Sequence, residues 1–249
     1  MNNYLLAAIT AGILSVGAVA QSQDKAAFVA AFSGQWFVFD PQFKTGSSPC
    51  SLDLATEISS ETARMTAKAQ HCDQPLAKTE SWDIRDGQLG LYSADQKRIA
   101  TLGGSQKRIT GELEDTKQGL IVERADGDNS TREISAAIRK HRCIYIGLTQ
   151  KCAETADLRL PEIDQGDEGF GSVGIVVNLN VRDQPRSTAG VVGTLPKGSC
   201  LKVNYCTTAS DGVWCRARFG EQNNWIRKTA LRQGEWPVLT FLNTCPTPE

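Results

Sequence analysis

Histidine is scarce in this chain, which has only two histidines among its 249 residues. His71 and His141 lie close to cysteines, but the sequence contains no C-x-x-C pair. Zinc sites require several Cys or His ligands at short spacings, so we predict no metal site and no bound cofactor. Oxidised cysteines also exclude a Cys–His nucleophile pair. We therefore predict that the protein is not an enzyme.

A dense run of basic residues is also missing. The chain has a formal net charge of −1, and residues 170–249 contain nine basic and five acidic side chains. Proteins that bind nucleic acids usually concentrate Lys and Arg on one face or helix. The sequence therefore predicts no nucleic-acid partner, and the excess of basic residues near the end indicates a mildly basic surface.

One apolar run is long enough to have a role in targeting. No charged residue occurs from Leu5 to Ala20, and the run ends in Ala18-Val19-Ala20. This small-x-small ending is typical of a site cut by signal peptidase. The run is shorter than the ~20 apolar residues that a bilayer span requires. We predict a signal peptide at residues 1–20, no permanent membrane span, and a periplasmic or secreted mature protein.

The cysteines are even in number and all follow the apolar run. In an exported protein such a set predicts disulfide bonds. Cys206 and Cys215 flank a hairpin that we expect to turn at Asp211-Gly212, and this favours their pairing. The other candidate pairs of the C-terminal half follow from loop closure and remain open. The eight cysteines are Cys50, Cys72, Cys143, Cys152, Cys200, Cys206, Cys215 and Cys245. The candidate pairs are Cys143–Cys152 and Cys200–Cys245.

Helical periodicity is limited to two short stretches, residues 26–32 and residues 131–142. Elsewhere, short alternating strands are separated by turn signals about every ten residues. We expect hairpin turns at Asp86-Gly87, Gly103-Gly104 and Thr110-Gly111. Regular strands without intervening helices predict an all-β, antiparallel architecture.

The composition divides the mature chain into three parts. Residues 32–124 form one predicted β module, and residues 173–249 form a second. The connecting segment, residues 125–172, holds one short helix and then an acidic, glycine-bearing stretch that is typical of a linker.

The first module carries an ordered set of motifs: Ser33-Gly-Gln-Trp36, Cys50-Ser-Leu-Asp-Leu, Cys72, Trp82 and Gly87-Gln-Leu-Gly-Leu-Tyr92. In this order they resemble the Inh family, the bacterial periplasmic inhibitors of secreted zinc metalloproteases. The resemblance implies a lipocalin-like antiparallel β-barrel. A bond between Cys50 and Cys72 would stabilise so small a barrel by about 3 kcal/mol. We expect Trp36 and Trp82 to fill its core.

The resemblance also implies how such a module acts. The mature N-terminal segment enters the protease cleft, and its terminal amine approaches the catalytic zinc, which has an open coordination position. By position, the inserting residues here are Gln21, Ser22, Gln23, Asp24 and Lys25. Family members tend to begin with small residues, whereas this chain would begin with Gln21, which can cyclise and lose its amine. The alternative is a leader with no role.

The second module resembles bacterial SH3-type (SH3b) domains. The resemblance lies in Leu179-Asn-Val-Arg182, in Val192-Gly-Thr-Leu-Pro-Lys-Gly198, and in the strands around Trp214 and Trp225. It implies a small SH3-like β-barrel, a fold that commonly binds peptidoglycan or peptides. Arg182, Trp214 and Trp225 would line a ligand groove. Alternatively, both tryptophans belong to the core.

Together these features predict a periplasmic or secreted inhibitor of serralysin-type metalloproteases, with a zinc protease as partner and the SH3b module as an accessory binder. Two other functions remain open at this stage. The protein could bind the cell envelope, with the first barrel as an adaptor, or the first barrel could carry a small apolar ligand.

Overall fold

The computed structural model describes residues 17–125, 131–163 and 169–245. The predicted signal peptide therefore lies largely outside the described residues. The described part of the chain begins with helix α1 (Gly17–Phe32), which is longer than the helix of residues 26–32 that the sequence predicts. Two short 3-10 turns, Pro41–Phe43 and Leu76–Lys78, interrupt the strands that follow.

The first module is a closed barrel of eight antiparallel strands, in which β1 pairs with both β2 and β8. The predicted all-β class is thereby confirmed. The strands are β1 (Gly34–Val38), β2 (Ser51–Ile58), β3 (Met65–Gln70), β4 (Ser81–Arg85), β5 (Gln88–Tyr92), β6 (Arg98–Gly104), β7 (Arg108–Leu113) and β8 (Gly119–Glu123).

Side chains fill the interior of this barrel. Trp36 and Trp82 are fully buried in a cluster with Leu52, Leu91 and Leu102, as the core role predicts. A buried indole N–H needs an acceptor. Trp36 Nε1 donates to the carbonyl of Phe32 at 2.7 Å, and Trp82 Nε1 donates to the carbonyl of Ala55 at 2.8 Å.

The hairpin turns differ from expectation in one region. Asp86 and Gly87 both have positive φ and connect β4 to β5 as predicted. Gly103-Gly104 and Thr110-Gly111, however, are not turns, because they lie within the paired strands β6 and β7, where Gly103 is opposite Thr110. A Cβ on Gly111 would lie 1.9 Å from the carbonyl oxygen of Thr101. The glycine thus permits the close approach of two strands, and the chain turns at residues 105–107.

The connecting segment packs against both modules. It contains α2 (Arg132–His141), β9 (Tyr145–Ile146) and α3 (Thr155–Leu158), and α2 confirms the helix that the sequence predicts. Residues of this segment share a core with Phe39 and Ile121 of the first module and Leu239 of the second. Residues 164–168, the centre of the predicted acidic linker, lie outside the described residues.

The second module is built on a seven-stranded antiparallel sheet. Its strand order is β12-β11-β15-β14-β13-β10-β18, and a smaller sheet has the order β16-β17-β9. The strands are β10 (Gly171–Ile175), β11 (Leu179–Arg182), β12 (Val191–Leu195), β13 (Cys200–Ala209), β14 (Gly212–Phe219), β15 (Gln222–Arg227), β16 (Thr229–Arg232), β17 (Trp236–Leu239) and β18 (Phe241–Leu242).

Four disulfide bonds link the eight cysteines in the pairs that the sequence favours. They are Cys50–Cys72, Cys143–Cys152, Cys200–Cys245 and Cys206–Cys215. Disulfides form and persist outside the reducing cytoplasm, so they indicate a non-cytoplasmic protein. Across the described ranges, the helices are too short or too polar to cross a bilayer.

Candidate functional site

The predicted inserting residues, Gln21 to Lys25, lie within helix α1 at the mouth of the barrel. Among these residues, the structure describes the side chain of Lys25. Its Nζ lies 2.8 Å from Oδ1 of Asp83 on β4. The Asp83 side chain is 5 % exposed, whereas that of Lys25 is 50 % exposed. The end of the predicted inserting segment is therefore joined to the barrel wall by an ion pair.

Aromatic rings continue this attachment along the helix. Phe28 stacks on Phe32 with ring centroids 6.4 Å apart, and Phe32 stacks on Trp36 at 6.2 Å. Trp36 is the first large core residue of β1. The helix is thus packed onto the barrel through one row of rings, which ends in the buried core.

Arg124, just after β8, closes the C-terminal end of α1. Its Nη2 donates to the carbonyls of Ala31 at 3.1 Å and Ser33 at 2.8 Å. Its guanidinium also lies 4.1 Å from the centroid of the Trp36 ring. The last carbonyls of a helix lack partners within the helix and carry partial negative charge, so a guanidinium stabilises this end.

The ion pair at the barrel mouth has a defined response to pH. Burial alone would raise the pKa of Asp83, but hydrogen bonds from Lys25, Arg85 and the backbone of Ile84 hold it below its ordinary value of 3.8. A lowered pKa in the folded state gives stability that is present above pH ~4 and lost as the pH falls through the folded pKa. The attachment of α1 therefore persists at neutral and mildly acidic pH.

A second candidate site is a cavity of about 530 Å³, which we call the groove. Cavities of about 300–1,000 Å³ are the usual size for small-ligand sites. It lies where the seven-stranded sheet meets the β16–β17 hairpin and the turn after β9. Its lining residues are Leu148, Val177, Asn178, Leu179, Asn180, Arg182, Ser187, Lys197, Trp214, Arg227, Ala230, Arg232, Val238 and Thr240.

Asp211 organises one side of the groove from beneath. Its carboxylate accepts hydrogen bonds from the backbone N–H of Ser187 at 2.7 Å, from the Ser187 hydroxyl, and from Trp214 Nε1 at 2.8 Å. Its backbone carbonyl accepts from Arg227. Burial would raise the pKa of Asp211, but the hydrogen bonds from Ser187 and the charge of Arg227 bring it below 3.8. The carboxylate is therefore ionised and fixes both Trp214 and Ser187.

Arg182 and Arg227 lie near each other in this groove. Burial lowers the pKa of the Arg227 guanidinium, Asp211 opposes that effect, and the like charge of Arg182 adds to it. Arg182 Nη1 donates to the carbonyl of Ala189 at 2.5 Å. The Nε of Arg227 is buried and has no hydrogen-bond partner.

The structure brings together two of the three residues of the predicted groove. Arg182 and Trp214 both line it, and Trp214 is only 1 % exposed, so its ring also belongs to the packed interior. Trp225 lies outside the groove. It is opposite Arg182 in the sheet register and contacts Tyr205, with ring centroids 6.2 Å apart. Its side chain belongs to the row of the sheet next to that of Trp214.

Sequence reasoning missed three basic lining residues, Lys197, Arg227 and Arg232. A signal for Arg227 was present, because alternation along β15 places it on the same face as Trp225, which the sequence predicts in the groove. For Arg232 no local pattern was available, since it reaches the groove from a different sheet.

Over the part of the chain that the structure describes, no group of three or more His, Cys, Asp or Glu side chains is arranged to hold a metal ion. Comparison with known proteins gives little further information. No protein-family model matches the chain, and no curated protein matches it. Among solved structures, the chain is similar to the antimicrobial peptidase lysostaphin from Staphylococcus simulans. The identity is 13 %, the match covers 62 % of this chain and 72 % of lysostaphin, and the TM-score of 0.25 is too low to support an argument.

Proposed function

We propose that the protein is a periplasmic or secreted inhibitor of bacterial zinc metalloproteases, in which the N-terminal segment, residues 21–25, enters the protease active site. The observation that carries this proposal is the attachment of α1 to the barrel mouth. Lys25 is paired with Asp83, and the rest of the helix is packed and capped. The part of α1 that precedes Lys25 therefore continues from a fixed base.

A fixed base matters energetically. An inhibitor that orders a flexible segment on binding loses conformational entropy, and pre-organisation reduces that cost. The filled barrel interior also supports action through the surface of the first module, because Trp36, Trp82 and their neighbours occupy the space that a carried ligand would need. The ordered motifs that resemble the Inh family agree with this proposal.

The test uses the mature protein, whose N-terminus is first determined by mass spectrometry. We expect stoichiometric inhibition of a serralysin-type protease, and we expect loss of inhibition when residues 21–25 are deleted. Full inhibition after the deletion would refute the insertion mechanism. Absence of inhibition by the intact mature protein, with its free N-terminal amine confirmed, would refute the function itself.

A second function is favoured by the groove. The second module would bind a peptide or glycan of the cell envelope between Arg182 and Trp214, where a cavity of ligand size meets fixed polar groups. Sedimentation of the protein with purified sacculi tests this envelope-binding role. The matched control is a truncated protein that lacks residues 173–249. Failure of the intact protein to sediment would count against this role.

A further inference from the structure

The charges lining the groove are all of one sign. Its lining includes Arg182, Lys197, Arg227 and Arg232, but no acidic residue. Within the described part of the chain, none of the four forms a salt bridge with a carboxylate. The nearby acid, Asp211, already binds Ser187 and Trp214 through both carboxylate oxygens.

Arg227 is held in an electrostatically unfavourable position beside the groove. The Nε of Arg227 has no hydrogen-bond partner, although burial of an unsatisfied donor is costly. The nearby charge of Arg182 is unfavourable for Arg227. An anion held between the two guanidiniums, which both line the groove, would be attracted by both charges and would offset the repulsion between them. Arginine suits this role because its planar donor fork matches a carboxylate.

We propose that the groove binds an acidic peptide, with a carboxylate of the peptide held between Arg182 and Arg227. This proposal rests on the envelope-binding role of the second module and names the chemistry of its ligand.

The rest of the lining favours a peptide over a small inorganic anion. Trp214, Leu148 and Val238 provide apolar wall, while the amides of Asn178 and Asn180 can exchange hydrogen bonds with a peptide backbone. The groove shares Leu148, Arg232 and Val238 with an adjoining cavity of about 540 Å³. That cavity extends to Tyr145 and Trp236. An extended ligand with apolar side chains therefore fits the combined shape.

Isothermal titration of the mature protein tests the charge requirement. The probes are two N-acetylated tripeptides, the acidic Ala-Glu-Ala with a free C-terminus and the uncharged Ala-Gln-Ala with an amidated C-terminus. We expect the acidic peptide to bind at least about ten-fold more tightly, because charged hydrogen bonds are the strong ones. The difference should shrink as ionic strength rises. Equal affinity for the two peptides, or an affinity for inorganic phosphate that matches the acidic peptide, would overturn the proposal.

Substitutions locate the binding in the groove. Arg227→Gln should weaken binding of the acidic peptide about ten-fold. The double substitution Lys197→Gln/Arg232→Gln should also weaken it, and both residues are exposed, so the fold is not at risk. Arg218→Gln is the matched control, since Arg218 is exposed on β14 and does not line the groove. Equal weakening by Arg218→Gln would show that net charge alone is responsible, against the proposal.

The same variants test the acidic-peptide site independently of envelope binding. If the intact protein sediments with sacculi and Arg227→Gln and Lys197→Gln/Arg232→Gln sediment equally well, the anionic site is refuted while envelope binding stands. If the protein binds Ala-Glu-Ala in a manner that depends on Arg227 but does not sediment with sacculi, the site stands and the envelope role is refuted.

Discussion

Lys25 Nζ and Asp83 Oδ1 lie 2.8 Å apart and join the helix before the barrel to the fourth strand of its wall. The two residues are far apart in sequence, and the partner of Lys25 is almost completely buried. Lys25 lies in the middle of α1, so this pair marks where the part of the helix that is attached to the barrel begins. The proposed inhibition depends on this boundary.

The substitution Lys25→Met should release the N-terminal half of α1 without unfolding the barrel. The Lys25 side chain is half exposed, and ion pairs with such an exposed partner contribute at most about 1 kcal/mol to the free energy of unfolding. We expect faster proteolytic cleavage within residues 21–31, weaker protease inhibition and a melting temperature lowered by a few degrees at most, because Asp83 keeps its hydrogen bond from Arg85. Lys68→Met, which removes an exposed lysine of β3, is the control. Unchanged inhibition with clearly faster cleavage would show that attachment is irrelevant to function.

The buried carboxyl group of Asp40 should make the protein less stable as the pH rises from about 4 to about 6. Burial raises its pKa from 3.8 to about 6, although hydrogen bonds from Gln42 and the charge of Lys228 act in the opposite direction. A raised pKa in the folded state gives stability below pH ~4 that is lost as the pH passes through the folded pKa.

One pKa unit corresponds to about 1.4 kcal/mol, so the raised pKa of Asp40 should lower the free energy of unfolding by about 3 kcal/mol over this pH range. Asp40→Asn should abolish this part of the pH dependence, as measured by urea unfolding at a series of pH values. An identical pH profile for the wild type and the variant would contradict the assignment.

Lys228 should have the opposite effect at higher pH, where it should make the free energy of unfolding rise with pH. It is 2 % exposed, and burial lowers its pKa from 10.5 to about 7 despite the favourable charges of Asp40 and Asp157. The folded state therefore binds fewer protons than the unfolded chain between about pH 7 and pH 10, and stability rises over that range.

Lys228→Met should remove this rise. Because Nζ of Lys228 also donates to Arg159 and Asn243, the variant should be less stable overall. The slope of unfolding free energy against pH is the diagnostic measurement, and a slope that survives the substitution would argue against Lys228.

Gly111→Ala should destabilise the first barrel strongly. Its Cβ would lie 1.9 Å from the Thr101 carbonyl, so β6 and β7 would have to separate, at a cost of about 2 kcal/mol or more. Gly103→Ala is a matched control on β6, because a Cβ there meets no atom within 4 Å. Its effect should stay within about 1 kcal/mol. Similar melting temperatures for the two variants would contradict the proposed close approach.

The double substitution Cys50→Ser/Cys72→Ser should lower the unfolding free energy of the first barrel by about 3 kcal/mol, since the bond closes a loop of sequence separation 22. Cys206→Ser/Cys215→Ser, in the second module, is the comparison. We expect the first pair to lower the midpoint of the barrel transition, followed by tryptophan fluorescence, and the second pair to leave it in place. A barrel midpoint that does not respond to the first pair would refute the stabilising role.

Local patterns predicted much of the fold. Alternation of apolar residues located strands such as β2 and β14, and the 3.6-residue periodicity located α2. The Asp86-Gly87 pair predicted its hairpin for a physical reason, because both residues tolerate positive φ. The same reasoning failed at Gly103-Gly104 and Gly111. A glycine that permits two strands to approach closely has the same sequence signal as one that permits a turn.

Local sequence patterns predicted less of the candidate sites than of the fold. The sequence predicts Arg182 and Trp214 in one groove because aromatic residues are enriched at recognition sites. The sequence also predicts Trp225 in this groove, but its side chain lies in the row of the sheet next to that of Trp214. Register between strands decides which outward side chains are neighbours, and it depends on pairing across the sheet.

By itself, the sequence determined the all-β architecture, the choice of tryptophans in the first core and the Cys206–Cys215 pair, because each follows from apolar alternation, burial of large rings or a short hairpin. Only the tertiary structure decided that Lys25 meets Asp83, that Arg124 caps the helix, and that basic residues from separate sheets converge on one groove. These contacts join residues distant in the chain. Their formation depends on how whole sheets pack, which no local pattern encodes.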